Sequence, residues 1–218
     1  MSERYKLILA SASPRRKELL EQIGIKFEIL PAKGEEILTS NIPSQAVLEL
    51  SKQKATEVAE QVEKSILNLS KQKMNELVEQ KEQMQKGIVV LGADTIVVFK
   101  DKILGKPKDT ADAINMLQML SGNIHSVFTG VTLFILEEDN KRIVSFYEET
   151  KVSMYSMTKE EITAYVKTKE PMDKAGAYGI QGRGARYIER MEGDYYNVVG
   201  LPIGRIYQEL YQSGIEIF

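Results

Sequence analysis

The stretch that most constrains the fold is Gly87–Phe99, GIVVLGADTIVVF, an apolar strand interrupted by Gly92 and Asp94. A carboxylate within an apolar strand costs free energy unless it is paired or bound to a cation. The glycine two residues before it suggests a bulge that turns a side chain toward a cleft. We therefore favour a functional role for Asp94, with the Thr95 hydroxyl beside it, over an aspartate that only hydrogen-bonds to nearby backbone.

Strand and helix patterns are mixed along the chain, and several strands form antiparallel pairs, which indicates an α/β fold. Helices are expected to begin near Ser13, Ser44, Thr110, Thr158 and Pro202, the first with Ser13 as its N-cap and the fourth with a capping box. Antiparallel pairs are expected over 126–155 and over 186–199, the second with Gly–Asp as its turn. A charged, helical extension is expected at about 61–86, as one long helix or two, in an otherwise single domain of 218 residues.

Composition excludes several kinds of chemistry. The chain has no cysteine, which rules out thiolate catalysis and Cys-ligated metals. It has one histidine, His125, which is expected to be a hydrogen-bonded residue at a strand end, so a metal would be held mainly by oxygens, as Mg²⁺ or Mn²⁺ are. The net charge of −2 gives no reason to expect a nucleic acid or an anionic membrane as partner. No apolar segment is long enough for a membrane span and no secretory signal is recognised, so a cytoplasmic location is expected.

The segment LASASPRRKELL places Arg15 and Arg16 in the first turn of a helix, where the helix dipole disfavours cations. A bound phosphate would remove that conflict, because it accepts backbone N–H bonds at a helix N-terminus and charge-assisted bonds from arginines. The small residues before the helix, Ser11 among them, would let the ligand approach the backbone. The alternative is that both arginines point into solvent or pair with carboxylates such as Glu18.

Other candidate site residues depend on where the fold places them. Lys54 lies on the long helix, and Lys106 lies between a glycine and a proline; each is of interest only if it faces Asp94. Glu35 and Glu36 lie in the first loop and, with Asp94, could supply oxygen ligands to a divalent ion. For all four, an ordinary solvated side chain is the alternative.

The segment MDKAGAYGIQGRG is rich in glycine and alanine around Tyr178 and Gln181. Such density suggests backbone packed close to a ligand or to another chain. A glutamine there can offer both a donor and an acceptor to the edge of a nucleobase. Taken together, these features predict a phosphate chain held by a helix N-terminus, by arginines and lysines and by a carboxylate-bound cation.

Several segments, in order along the chain, resemble the Maf family of nucleotide pyrophosphatases. They are LASASPRRKELLEQIG, SKQKA, GADTIV with LGKP, LSGNIHSVFTGV, and DKAGAYGIQG with NVVGLP. The resemblance implies a mixed, strongly twisted sheet flanked by helices, with two lobes around a central cleft. It implies hydrolysis of a nucleoside triphosphate to the monophosphate and pyrophosphate with a divalent metal, and a possible homodimer. The SPRR, GADT and GIQG motifs are similar to those of the dTTP/UTP pyrophosphatases.

The resemblance also implies roles for individual residues. Asp94 corresponds to the general base, which either deprotonates water or holds the metal, with Glu36 as a second metal ligand. The substrate-binding positions are Ser11, Arg15, Arg16, Lys54, Thr95, Lys106 and Gln181. Arg16, Lys54 and Lys106 would hold phosphates, whereas Arg15, Thr95 and Gln181 would contact a pyrimidine.

Two other functions are open at this point. One is a pyrophosphatase for a modified or purine nucleotide such as 7-methyl-GTP. The other is a non-catalytic regulator that binds nucleotide or a protein partner, with the charged extension as its binding surface. RNA binding is disfavoured because the chain has no basic stripe.

Overall fold

Seven strands form one mixed sheet in the computed structural model of the chain, which describes residues 5–73, 86–138 and 140–217, with the backbone alone for 68–73. The strands are β1 (Lys6–Leu9), β2 (Phe27–Ile29), β3 (Ile88–Phe99), β4 (Lys102–Leu104), β5 (Ile124–Leu136), β6 (Lys141–Met154) and β7 (Ile188–Glu192). Their order is β2-β1-β3-β5-β6-β7, and β4 pairs with β3 outside this path. Strand β1 is parallel to β2 and β3, and the other pairs are antiparallel. The expected mixed α/β fold is confirmed.

One edge of β3 is open at its centre. Strand β5 pairs with β3 from Ile88 to Val98 along one edge. On the other edge, β1 pairs only with Ile88–Leu91 and β4 only with Val97–Phe99. Among the described residues, the stretch between them, 92–96, therefore has no neighbouring strand on that side. Asp94 and Thr95 lie at this gap, which places them in a cleft.

Six α-helices and three short 3₁₀ helices flank the sheet in the described residues. The α-helices are α1 (Pro14–Gln22), α2 (Pro43–Lys73), α3 (Thr110–Leu120), α4 (Lys159–Lys167), α5 (Tyr195–Val199) and α6 (Ile203–Gln212), and the 3₁₀ helices lie between Glu170 and Tyr187. Asp109 caps α3, and Thr158 and Glu161 form the expected capping box of α4. Ser13 occupies the N-cap position of α1 as predicted, although its side chain makes no capping hydrogen bond. The first-turn N–H groups of α1 are therefore not engaged by that hydroxyl.

Two apolar cores lie on either side of the gap in β3. The first core gathers side chains of β1, α1 and α6 around Leu91 of β3 and Leu133 of β5. The second core gathers α3, α4 and the 3₁₀ helices around Val97 of β3 and Val127 of β5. The same long strands thus contribute to both cores, and Asp94, which pairs with Gly130, lies between them. This arrangement gives the two lobes and the central cleft.

Helix α2 lies directly on the sheet at two glycines. A Cβ atom at Gly92 would lie 2.3 Å from the Ser51 carbonyl oxygen, and one at Gly130 would lie 2.3 Å from the Val47 carbonyl oxygen. The pairing of β3 with β5 continues through Gly92 without a shift in register. The bulge predicted at Gly92 is therefore wrong, because the glycine serves the close approach of a helix backbone. This approach brings the side chains of α2 to Asp94.

The segment 186–199 is not a hairpin. It forms strand β7, which pairs with β6, followed by helix α5. Asp194 caps α5 by accepting a hydrogen bond from the Tyr196 N–H at 2.8 Å. The Gly–Asp pair that suggested a turn is therefore a helix start, since aspartate favours both positions.

Part of the charged extension lies on α2, which is a single helix to Lys73. The remainder of the predicted extension, 74–85, lies outside the described residues. Among the described residues, no helix combines the length and the apolar character needed to cross a membrane.

Candidate active site

A cavity of about 800 Å³ lies at the open edge of β3. Its size falls within the roughly 300–1,000 Å³ typical of small-molecule pockets. Nine of the residues predicted for the site line this one cavity: Ser11, Arg15, Arg16, Glu36, Lys54, Asp94, Thr95, Lys106 and Gln181. Glu35 is exposed in the same loop as Glu36 and is not among the lining residues. The fold thus brings together side chains from opposite ends of the chain.

The floor of the cavity carries a lysine between two carboxylates. Lys54 Nζ lies 2.5 Å from Asp94 Oδ1 and 2.9 Å from Glu36 Oε1. Burial alone would raise the pKa of Glu36, but the hydrogen bond and the charge of Lys54 outweigh it, so the pKa lies below its usual value. Among the described residues, no hydrogen-bond partner is found for Asp94 Oδ2, so this oxygen can take part in chemistry in the cavity.

Arg16 is a buried cation without a carboxylate partner. Its side chain donates from Nε to the Gly200 carbonyl at 2.9 Å, from Nη1 to Ser11 Oγ at 3.1 Å and from Nη2 to Thr95 Oγ1 at 3.2 Å. Within the described part of the chain, no acidic side chain forms an ion pair with it. Burial lowers the pKa of the guanidinium, and the charge of Asp94 acts in the opposite direction. Because a guanidinium has five N–H groups, two remain for a ligand.

A chain of hydroxyl groups fixes the orientation of Thr95. Thr129 Oγ1 donates its hydrogen to the Asn197 carbonyl at 2.9 Å, so it can only accept from Thr95 Oγ1, which lies 2.9 Å away. Thr95 Oγ1 therefore donates to Thr129 and accepts from Arg16. The hydrogen of the Thr95 hydroxyl is thus used in a bond within the protein. Thr95 affects the cavity by fixing the Arg16 side chain and by the space that it fills.

Arg15 differs from Arg16 in its surroundings. Its Nη1 forms an ion pair with Asp173 Oδ2 at 2.9 Å, so its partner is not Glu18, the carboxylate named as an alternative. Asp173 also pairs with Lys174, and both residues line the cavity. Asp173 and Lys174 are site residues that the sequence reasoning missed. Their signal was present in the MDKAGAYG segment, of which only the later residues were singled out.

The loop that carries Glu36 is tied to one face of α2. Glu57 accepts the N–H groups of Lys33 at 2.9 Å and of Gly34 at 3.0 Å. One turn earlier, Gln53 accepts the Ile37 N–H at 3.0 Å, and one turn before that Glu49 accepts the Thr39 N–H at 3.1 Å. The i, i+4 spacing of these three side chains matches the extended loop. The same helix that supplies Lys54 thus positions Glu36.

His125 and Tyr178 pack beside the cavity. His125 is buried, and its Nε2 lies 2.7 Å from the Tyr178 hydroxyl, which agrees with the structural role expected for this histidine. Burial lowers the pKa of His125 to about 4. Tyr178 lines the cavity, whereas its hydroxyl group is engaged by the histidine. Neither side chain is therefore arranged as a nucleophile or a base.

The charge of the cavity wall is positive. Five cationic side chains face three carboxylates, which leaves a net charge of +2. The cations are Arg15, Arg16, Lys54, Lys106 and Lys174, and the carboxylates are Glu36, Asp94 and Asp173. Lys106 and Gln181 are exposed at the rim. The arrangement is suited to a polyanion that reaches the N-terminus of α1.

The carboxylates can be tested as ligands of a divalent ion. Among the described residues, no group of three or more His, Asp or Glu side chains is arranged to hold a metal. Glu36 and Asp94, however, converge on one position, which the Lys54 ammonium now fills. Mg²⁺ is commonly held by one or two carboxylates together with substrate phosphates. The two oxygen donors fit such an ion if phosphate oxygens complete its coordination.

A mixed α/β sheet with a cationic cleft is the arrangement found here, and the chain belongs to the Maf-like family. The family model described as Maf-like protein matches residues 6–213. Relatives with the name dTTP/UTP pyrophosphatase are similar over nearly the whole chain. The protein of Agathobacter rectalis is 54% identical over 212 residues, which cover 97% of this chain and 98% of the relative. That of Lachnoclostridium phytofermentans is 45% identical, with 98% of each chain covered. That of Bacillus cytotoxicus is 48% identical, with 95% of each chain covered.

Proposed function

We propose that the protein hydrolyses dTTP and UTP to the nucleoside monophosphate and pyrophosphate, with a role in clearing the nucleotide pool. The names of the relatives support this activity. The observation in the structure that carries it is the burial of Arg16, for which the described residues supply no carboxylate partner. A buried charge is costly unless an opposite charge approaches it. A triphosphate in the cavity supplies that charge.

The reaction needs a water molecule to attack the α-phosphorus. A bond forms between the water oxygen and this phosphorus, and the bond to the oxygen that bridges the α- and β-phosphates breaks. Asp94 is the residue that takes up the proton of the water through its carboxylate, and pyrophosphate leaves with the electron pair of the broken bond. Arg16, Lys54 and Lys106 hold the phosphate oxygens. Such positioning and charge stabilisation commonly make the largest contribution to catalysis.

A divalent ion, Mg²⁺ or Mn²⁺, completes the proposed site. Glu36 and Asp94 are the residues that would hold it. Its chemistry when bound is to neutralise the charge on the triphosphate oxygens. Lys54 Nζ lies within 2.9 Å of an oxygen of each carboxylate, so these two oxygens stand close together.

The nucleobase of the substrate is proposed to lie at the side of the cavity formed by Arg15, Thr95 and Gln181. Of these, Gln181 has an exposed carboxamide, and no hydrogen bond of its side chain is found within the described ranges. Gln181 is therefore the residue best placed to read the polar edge of a pyrimidine. The homodimer and the cytoplasmic location expected from the sequence stay predictions.

A nucleotide panel tests the proposal. The purified protein is incubated with Mg²⁺ and each of dTTP, UTP, CTP, the purine triphosphates and 7-methyl-GTP, and pyrophosphate release is measured with and without a chelator. In ¹⁸O-labelled water, attack at the α-phosphorus places the label in the monophosphate. We expect dTTP and UTP to have the highest kcat/KM. A preference for 7-methyl-GTP, label in pyrophosphate, or nucleotide binding without turnover would each overturn the proposal.

A further inference from the structure

Two residues outside the cavity hold the loop that carries Gln181. The loop is 179–184, and its partners are Tyr165 of α4 and Glu170, which begins the first 3₁₀ helix. The Gly179 N–H donates to the Tyr165 hydroxyl at 3.2 Å, and this hydroxyl donates to Glu170 Oε1 at 3.0 Å. At the other end of the loop, Glu170 accepts the N–H groups of Arg183 and Gly184, each at 3.1 Å. One tyrosine–glutamate pair therefore fixes both ends.

The glycines of this loop are explained by its closeness to the same pair. A Cβ atom at Gly184 would lie 2.5 Å from the Tyr165 hydroxyl oxygen, and one at Gly182 would lie 3.0 Å from Glu170 Oε2. Gly182 also has a φ of +68°, which favours glycine. The close packing expected from the glycine density is thus against side chains of the same chain. The backbone of the loop lies on the pair, and the Gln181 side chain projects from it at the cavity.

The pair has the electrostatic character that such a role needs. Tyr165 is fully buried and Glu170 is half-buried. Burial alone would raise the pKa of Glu170, but the N–H groups of Arg183 and Gly184 outweigh it and hold the pKa below its usual value. The carboxylate is therefore an ionised acceptor near neutral pH, which gives stronger bonds to N–H groups than a neutral acceptor.

We propose that Glu170, together with Tyr165, is a specificity-determining positioning residue: it fixes the place of the Gln181 carboxamide and so the preference for a pyrimidine over a purine triphosphate. The inference rests on the proposed function. Glu170 does not line the cavity, so it affects the choice of nucleobase only through the position of the loop 179–184. Loosening of the loop changes which base is accepted, while Asp94 and Lys54, which lie on other elements, keep their geometry.

The test uses Glu170→Gln, which keeps the size of the side chain but replaces one acceptor oxygen with a donor. We expect the ratio of kcat/KM for dTTP to that for dGTP to fall about tenfold, mainly through a higher KM for dTTP, with little change in kcat. Tyr165→Phe removes only the hydroxyl group of the Tyr165–Glu170 pair, and we expect the same ratio to fall by a smaller factor. Glu209→Gln, which changes a carboxylate paired with Arg205 on α6, is the matched control and leaves the ratio unchanged.

A double-mutant cycle separates positioning from general destabilisation. In a Gln181→Ala background, Glu170→Gln should reduce the ratio no further, because the loop then has no carboxamide to place. An additive loss, or equal changes for all nucleotides with the ratio intact, would overturn the proposal. If Glu170→Gln does not fold, Tyr165→Phe decides alone: an unchanged ratio overturns the proposal. A wild-type protein that hydrolyses no pyrimidine triphosphate counts against the proposed function itself, which distinguishes the two failures.

Discussion

Lys54 Nζ lies 2.5 Å from Asp94 Oδ1, although the two residues come from different elements, a helix and a central strand. Both side chains are largely buried, with 17% and 14% of their surface exposed. The contact occupies one oxygen of the carboxylate and leaves the other facing the cavity. Asp94 is thus oriented by a cation, and one of its carboxylate oxygens is left for chemistry in the cavity.

Replacement of this carboxylate tests its role directly. Asp94→Asn keeps the shape but removes the charge, and we expect kcat to fall by about 10³-fold, within the usual range for loss of a general base. Nucleotide binding, measured by calorimetry, should remain. Asp109→Asn is the matched control, because asparagine also caps a helix well and Asp109 is outside the cavity. Activity retained in Asp94→Asn would contradict the assignment.

The two neighbouring arginines should respond differently to the same change. Arg16→Lys loses the three hydrogen bonds that fix the guanidinium and the N–H groups left for a ligand. We expect KM to rise about 100-fold, which corresponds to the loss of one bond to a charged group at about 1.5–3 kcal/mol. Arg15→Lys can keep an ion pair with the exposed Asp173, so its effect should be only a few-fold. The measurement is KM of the two variants by steady-state kinetics. Equal increases in KM would be inconsistent with the structure.

The close contact of α2 with the sheet predicts an asymmetry between two glycine substitutions. Gly92→Ala places a methyl group against the Ser51 carbonyl, and we expect the free energy of unfolding to fall by about 2 kcal/mol or more. Gly204→Ala on α6 meets no atom within 4 Å, and it should be neutral or stabilising by up to about 1 kcal/mol because alanine favours helices. Urea denaturation measures both. A neutral Gly92→Ala would argue against the close approach.

Acid should destabilise the protein in part through His125. Its pKa falls from 6.5 to about 4 on burial, so the unfolded chain binds a proton that the folded chain does not. The free energy of unfolding is therefore highest above pH 6.5 and falls as the pH decreases toward 4, by up to about 3 kcal/mol from this residue.

Other groups act in the same direction, since carboxylates such as Glu137 also have lowered pKa values. The comparison is therefore between variants. The slope of unfolding free energy against pH from 6.5 to 4.5 should be smaller in His125→Gln than in the wild type. In Tyr178→Phe, which keeps the buried histidine, the slope should remain. An identical slope in all three proteins would rule out the histidine as its source.

The tie between α2 and the first loop predicts an effect at a distance. Glu57→Ala frees the N–H groups of Lys33 and Gly34, and we expect kcat/KM to fall about three- to tenfold as Glu36 loses its fixed place. Glu60→Ala, one turn away on the same helix, is exposed and serves as the control. The measurement is kcat/KM over a range of Mg²⁺ concentrations. A Glu57→Ala protein as active as the control would show that the tie does not matter.

Local signals predicted most elements of the fold. The helix start near Thr110, the capping box at Thr158 and the apolar run of β3 were sufficient for two helices and a central strand. The errors arose where one local pattern suits two structures. Gly193–Asp194 fits a turn as well as a helix start, and the choice is made by Asn197, which is fully buried and donates to the Val127 carbonyl. The role of Gly92 depends on α2, about forty residues away.

Motifs were sufficient to predict residues that line the cavity, but the different surroundings of each side chain could not be predicted from them. Arg15 and Arg16 are adjacent and chemically identical, and only the distant partners Gly200 and Thr95 make one of them a buried cation. Lys174 could not be predicted, because a lysine beside an aspartate has the same sequence pattern as an ordinary surface ion pair. The direction of the Thr95 hydroxyl likewise depends on a chain of bonds that ends at Asn197.

The contact of α2 with Gly92 and Gly130 has a consequence for how proteins with this architecture can diversify. Because α2 packs directly against backbone at these glycines, small changes in side-chain size elsewhere do not shift or tilt it. The distance between Lys54 and Asp94 is therefore closely fixed. The segments 33–40 and 179–184 are tied by hydrogen bonds from side chains, which single substitutions can remove. New substrate preferences should therefore arise in these two segments, while the contact of Lys54 with Asp94 stays the same.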